Sequence, residues 1–182
     1  MAKKLIGNYL VRDVGKNKLI GKIVETEAYM GTKDKASHTY NGKKTKRTEI
    51  LYSRGGLAYV YTIYGIYNCF NIVANNEDKP EAVFIRALEP VEGIEMMYKN
   101  RNTKNLEQIE LTNGPSKMCQ AMVIDKSFYG HDLTSGKDLY LVLNKCNNKV
   151  KNSARINIDY AEEDKNNPWR FYQDDNPYVS KV

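Results

Sequence analysis

The chain has 182 residues, 41% of them hydrophobic and 27% charged, and its 28 basic and 22 acidic side chains leave a net charge of +6. This composition excludes wholesale disorder and suits a single domain spanning residues 1–182, since domains usually run to roughly 100–200 residues. No apolar run approaches the ~18–20 residues of a membrane-spanning helix. The basic start Met1-Ala2-Lys3-Lys4 leads into an apolar stretch that breaks at Gly7-Asn8, so no signal peptide and no membrane are expected.

Cys69, Cys119 and Cys146 are scattered without a C-x-x-C spacing, and His38 and His131 lie far apart. Reduced thiols in a cytoplasmic protein, with no metal and no other cofactor, are the expectation. The basic surplus tilts only modestly toward a polyanionic partner, because Lys and Asn are both abundant. Fourteen tyrosines carry more weight: a phenol ring stacks and its hydroxyl hydrogen-bonds, although tyrosines also simply pack sheets.

In chain order, residues 21–30 read as a strand, with Ile23, Glu25, Glu27 and Tyr29 on one face and Val24, Thr26, Ala28 and Met30 on the other. The polar stretch 31–56 reads as loop with at most one short helix near 45–52. Residues 57–63 and 66–73 form two β-prone runs around Tyr64-Gly65, the pattern of a tight hairpin whose glycine takes a positive φ and whose tip displays Tyr64. A third strand is predicted over 82–88. Pro90 is placed in the first turn of a helix carrying Val91, Ile94 and Met97, and Asn113-Gly114-Pro115 starts a second helix. Strands at 138–143 and 154–158 follow, and the chain closes with Pro168-Trp169-Arg170-Phe171-Tyr172. The predicted architecture is mixed α+β: one curved, mostly antiparallel, open-barrel-like sheet with packed helices and a protruding β-hairpin.

Three groups of residues can carry chemistry. Glu25 and Glu27, two apart on a strand, lie about 6.6–7 Å from each other, close to the carboxyl spacing of sugar-bond hydrolysis, though exposed acid pairs are usually just solvated. Tyr29, His38, Tyr59, Tyr61 and Tyr64 supply rings; sheet packing accounts readily for Tyr59 and Tyr61, whereas Tyr64 at a hairpin tip suggests a wedge for a nucleic-acid duplex. Arg86 among apolar neighbours needs an anion if it points inward, and Lys43-Lys44-Thr45-Lys46-Arg47 would suit a phosphate backbone or a solvated turn.

Several blocks together carry a resemblance. Glu25-Thr26-Glu27-Ala28-Tyr29, with Asp34 and His38 downstream, resembles the opening motif of the alkyladenine (3-methyladenine) DNA glycosylases. The likeness continues through Tyr59-Val60-Tyr61, Tyr64-Gly65, Asn71, Ile85-Arg86-Ala87-Leu88-Glu89-Pro90, Gly114-Pro115-Ser116-Lys117, Ala154-Arg155-Ile156 and Trp169-Arg170-Phe171. These blocks keep the family's order over almost the whole chain. Thr48 stands where the family usually has Asn, and Asn157 where it usually has Gly.

The resemblance implies a monofunctional DNA glycosylase that flips 3-methyladenine and other alkylpurines, with hypoxanthine and ethenoadenine as further candidates, out of duplex DNA. Glu27 would be the base that activates water. Tyr29, His38 and Tyr61 would sandwich the flipped base, with the His38 backbone amide reading its 6-position and Asn71 crowding the 2-amino group of guanine. Tyr64 would fill the gap in the duplex, Arg86 would hold the water or a nearby phosphate, and Tyr59 and Arg47 would touch the DNA backbone. The expected partner is double-stranded DNA with damaged purines, bound by a monomer in the cytoplasm, at the nucleoid in a bacterium. A non-catalytic binder of damaged DNA is the alternative, distinguished by its having no need for Glu27. A carbohydrate hydrolase built on Glu25 and Glu27 is disfavoured by the basic loop and the wedge tyrosine.

Overall fold

A computed structural model of the protein describes residues 1–144 and 149–180. Its spine is the long strand β2 (Asn17–Tyr29), which a tight turn at Gly15 joins to β1 (Tyr9–Val14). β2 takes three neighbours, all antiparallel. Its first half pairs with β1, its second half pairs with β8 (Arg170–Gln173), and β5 (Ala82–Glu92) runs along most of its length. The hairpin of β3 (Ala58–Ile63) and β4 (Tyr67–Val73) extends the sheet beyond β5, β6 (Leu139–Val142) closes the opposite edge on β1, and β7 (Val150–Ser153) pairs with β8. The eight strands form one curled antiparallel sheet, a half-barrel with a few helices, as the sequence implied.

The sheet and the helices share one main core. Leu10, Leu19, Ile23, Val60, Phe70, Ile72, Val83, Ile85 and Leu88 face Met97 of α2 (Ile94–Arg101), Met118 and Cys119 of α3 (Pro115–Ala121) and Met122, which caps α3. Met97, Met118 and Met122 are fully buried, and removing such a side chain typically costs about 2–5 kcal/mol. A one-turn helix, α1 (Ala2–Leu5), packs Ala2 and Leu5 onto the same core.

Several predicted boundaries shift, each for a structural reason. Pro90 does not open a helix: β5 runs on to Glu92, and α2 begins only after Gly93. Gly93 sits at φ 77, where a Cβ would lie 2.6 Å from the Lys18 carbonyl oxygen, so the strand-to-helix switch falls where only glycine fits. Pro115, by contrast, does occupy the first turn of its helix. The strand expected over 154–158 is irregular chain, and β7 lies just before it. Within 31–56 the single helix expected near 45–52 is a 3-10 turn at Glu49–Tyr52, and two more such turns occupy Gly31–Lys33 and Tyr40–Gly42. The hairpin loop is three residues, not two: Ile63 pairs with Tyr67, and both Tyr64 (φ 50) and Gly65 (φ 75) take left-handed conformations. Cys69 and Cys119 are free and buried; Cys146 lies outside the described residues.

Candidate active site

The floor of the site is built where β2 meets β5 and β8. Of three breaks in the β2–β5 register, two fall beside the site: Ile23 pairs with Leu88 but Glu25 with Ala87, and Thr26 then pairs with Ile85. Val24 on one strand and Arg86 on the other are therefore extra residues, and such bulges re-aim the side chains beside them. Arg86 turns toward β2, where its Nε donates to Glu25 Oε1 at 2.9 Å and its Nη1 lies 3.4 Å from Glu27 Oε1. Both carboxylates are fully buried, and they are engaged very differently.

Glu25 accepts four hydrogen bonds, from Arg86 Nε, Arg170 Nε at 2.7 Å, Ser180 Oγ at 2.9 Å and the Ser180 backbone N–H at 2.7 Å. Three of these fall on Oε1 and one on Oε2, so both oxygens of this fully buried carboxylate are tied to the protein. Glu27 is less committed. It accepts from the Ile156 backbone N–H at 2.8 Å and from the Tyr29 hydroxyl at 3.0 Å. Burial pushes its carboxyl above the ordinary carboxylate range, with Arg86 and these two donors pulling the other way.

Tyr29 links this floor to an aromatic cleft of about 360 Å3, open mouth included, walled by Tyr29, His38, Tyr59, Tyr61, Asn71 and Tyr160 among others. Behind Tyr29, Arg155 is clamped between the Tyr29 and Trp169 rings, 4.8 and 4.9 Å from their centroids, and forms a bidentate pair with Asp34 at 2.6 and 2.8 Å. Asp34 also accepts from the Met30 and Ala36 backbone N–H groups, which pins the loop leading to His38. Asn157, two residues past Arg155, lies at φ 58. That is the left-handed region glycine favours and asparagine tolerates best among side-chain-bearing residues, so the unusual residue keeps the turn. Thr48 likewise supplies local bonding, its Oγ1 accepting from the Thr45 N–H at 2.9 Å.

The opposite wall belongs to β3 and β4. The His38 ring packs edge-on to Tyr61 with centroids 4.7 Å apart, and its Nδ1 meets the Tyr59 hydroxyl at 2.9 Å. Burial, helped by the nearby charges of Arg47 and Lys43, lowers the His38 pKa to about 4, so the ring is neutral at physiological pH. Tyr59, expected at the DNA backbone, is only 2% exposed, and its hydroxyl meets His38 Nδ1. Asn71 is buried and donates to the Tyr59 carbonyl at 3.3 Å. Cys69, opposite Tyr61 in the β3–β4 register, is a buried thiol pushed up to about 11, hence protonated and unreactive.

Beyond the cleft, β3 continues to the hairpin tip, three residues past Tyr61 and so about 10 Å further along. Tyr64 is 88% exposed there, with Ile66 and Tyr67 exposed beside it. Arg47 of the basic loop places its guanidinium 5.8 Å from the Tyr61 ring centroid, at the edge of the cleft. The structure thus gathers Glu27, Tyr29, His38, Tyr61, Asn71 and Arg86 around one site, with Arg47 and Tyr64 on its outer side. Sequence reasoning missed Tyr160, which lines the cleft and carries no local signal. Arg155, Arg170 and Asp34 were visible only as members of motif blocks.

Comparison with known sequences places the chain in context. A profile described as Methylpurine-DNA glycosylase (MPG) matches residues 1–177. A protein of Natranaerobius thermophilus is 51% identical over 99% of this chain and 92% of its own length. Proteins of Clostridium novyi and Clostridium tetani are each 50% identical over all of this chain and 92% and 93% of theirs. All three carry the name "Putative 3-methyladenine DNA glycosylase".

Proposed function

Because the chain belongs to the methylpurine-DNA glycosylase family, we propose that it rotates a methylated purine out of duplex DNA into the aromatic cleft and hydrolyses the bond to its sugar. The observation that carries this reading is the pairing of a buried, incompletely committed carboxylate, Glu27, with a ring-lined cleft joined to it through the Tyr29 hydroxyl. Chemistry on a base inside a duplex requires its extrusion, at a cost of a few kcal/mol in lost stacking and pairing. Tyr64 offsets part of that cost by stacking into the vacated gap, and the walls of Tyr29, His38 and Tyr61 recover π contacts with the flipped ring.

Glu27 then accepts a proton from a water as the water attacks the sugar C1′, and Arg86 beside it keeps the carboxylate ionised and holds the water. An alkylated purine bears positive charge and leaves readily, and a tyrosine-lined cleft attracts it by cation–π contact. Neutral lesions such as hypoxanthine and ethenoadenine need a proton on the departing base, and the neutral His38 does not carry a spare one. The His38 backbone N–H favours purines with an acceptor at the 6-position, Asn71 crowds the 2-amino group of guanine, and Arg47 contacts phosphate. Tyr59 orients His38 through its hydroxyl. On this reading residues 1–182 act as one cofactor-free domain, a monomer working on cytoplasmic, nucleoid-bound DNA.

The test uses methylated duplex DNA and an end-labelled duplex with one hypoxanthine, each incubated with the wild type or Glu27→Gln and then treated with hot alkali. Expected are release of free methylpurine from the methylated duplex, measured before any heating, and strand cleavage of the hypoxanthine duplex after alkali, each only with the wild type. Cleavage without alkali would overturn direct hydrolysis in favour of a lyase. Lesion-dependent DNA retention by a wild type that cleaves neither duplex would instead support a non-catalytic binder.

A further inference from the structure

Arg86 is not fixed by the residue it is meant to assist. Its Nη1 stands 3.4 Å from Glu27, too far to lock a long side chain, whereas its Nε lies 2.9 Å from Glu25. Glu25 is in turn held from the far end of the chain. Ser180 gives it both a backbone N–H and a hydroxyl, Arg170 gives it Nε, and Arg170 Nη2 closes the ring on the Ser180 carbonyl at 3.1 Å. Glu25 is fully buried and Arg86, Arg170 and Ser180 are each 7% exposed, so these bonds are shielded from competing water.

We propose that Ser180 and Arg170, acting through Glu25, are positioning residues that fix Arg86 beside Glu27. Without the two Ser180 bonds, Glu25 keeps only the bonds of Arg170 and Arg86 to Oε1, with Oε2 untethered, so the carboxylate can pivot and shift the Arg86 guanidinium with it. Glu27 faces Glu25 and Tyr29 on its own strand, Arg86 on β5, and Arg155 and Tyr160 on the segment after β7. Of these, Arg86 is the cation that most favours its ionised form. A displaced Arg86 therefore leaves a carboxylate that protonates at higher pH and a water less well held. This rests on the reading of Glu27 as the base.

The experiment measures excision of methylated bases from duplex DNA between pH 5 and 8 by the full-length wild type, Ser180→Ala, Ser180→Pro and Glu27→Gln. Ser180→Ala removes the hydroxyl alone and Ser180→Pro removes the N–H as well. Expected is a graded fall in kcat, about tenfold for the proline variant, with KM within about twofold. The acid limb of the pH profile should move up by about half to one pH unit. A Ser180→Pro enzyme with wild-type kcat and acid limb overturns the proposal, as does a lowered melting temperature with an unmoved acid limb. If the proline variant does not fold, the acid limb of Ser180→Ala decides the same question. Wild-type activity in Glu27→Gln would instead remove the reading of Glu27, whatever Ser180 does.

Discussion

The floor of the site and the tip of the hairpin are opposites. Glu25, Glu27, Asp34, Arg86, Arg155 and Arg170 are at most 7% exposed, and every one is matched to an opposite charge. At the tip, Tyr64 is 88% exposed on a left-handed backbone, beside an exposed Ile66. Changes in the floor should therefore disturb fold and chemistry together, because each charge depends on a buried partner. Changes at the tip should leave the fold intact, since no core packing depends on it. On the proposed mechanism, a site that holds a water rigidly and a wedge that enters the duplex call for these two environments.

The largest expected effect is in the floor. Glu27→Gln should lower excision by about 10²–10⁴-fold, the usual contribution of a positioned general base, while damaged-duplex binding in a gel shift survives. Comparable loss of binding would make Glu27 structural. Next, Asp34→Ala leaves Arg155 buried without its bidentate partner, at a cost of about 3–5 kcal/mol. Thermal denaturation should show a melting point about 10 °C lower, and an unchanged melting point would mean that the clamp behind Tyr29 contributes little.

Tyr64→Gly sharpens the contrast from the other side. Glycine removes the cost of a side chain at positive φ, about 1–2 kcal/mol, though it also loosens the unfolded chain. The melting temperature should not fall, yet excision from duplex DNA should drop about tenfold, equivalent to about 1.4 kcal/mol, the part of the flipping cost that Tyr64 no longer offsets. Excision from single strands should change less, and equal losses on both substrates would remove the wedge role.

The smallest effects are in pH. A base whose pKa is raised by burial must be deprotonated to act, so activity should fall with decreasing pH through a value above the ordinary carboxylate ~4.3. His38 adds no limb to that profile, because its pKa is lowered to about 4. It acts on stability instead. A histidine whose pKa drops on folding contributes stability above its unfolded value of 6.5, and that stability is lost as pH falls from there toward about 4. His38→Gln should flatten the dependence of melting temperature on pH across this window; an unaltered slope would place His38 in a less buried setting.

The elements legible in the sequence were those set by local chemistry. Alternating β-prone runs around Tyr64-Gly65 marked the hairpin, Pro115 marked a helix start, and the Glu27, Tyr29, His38 and Arg86 blocks marked the candidate site through family resemblance. Pro90 misled because the same residue opens a helix or ends a strand, and the choice fell to Gly93 pressed against Lys18. Residues 154–158 look like a strand yet are irregular, since Arg155 is committed to Asp34 and the Ile156 N–H to Glu27, not to a ladder. Tyr160 reaches the cleft only because its segment folds back over the loop at Ala36, whose carbonyl its hydroxyl meets at 3.4 Å.

By itself, then, the sequence determined the family, the sheet-rich class and the candidate reactive side chains, because motif identity and short-range backbone preference are written residue by residue. Tertiary structure alone decided how differently the two neighbouring glutamates are engaged, four hydrogen bonds on Glu25 against two on Glu27. Bulges at Val24 and Arg86 turn the arginine toward both, and Ser180, 155 positions from Glu25, ties that carboxylate down. Register slips and contacts of that length depend on how strands from distant parts of the chain meet, which no local pattern encodes.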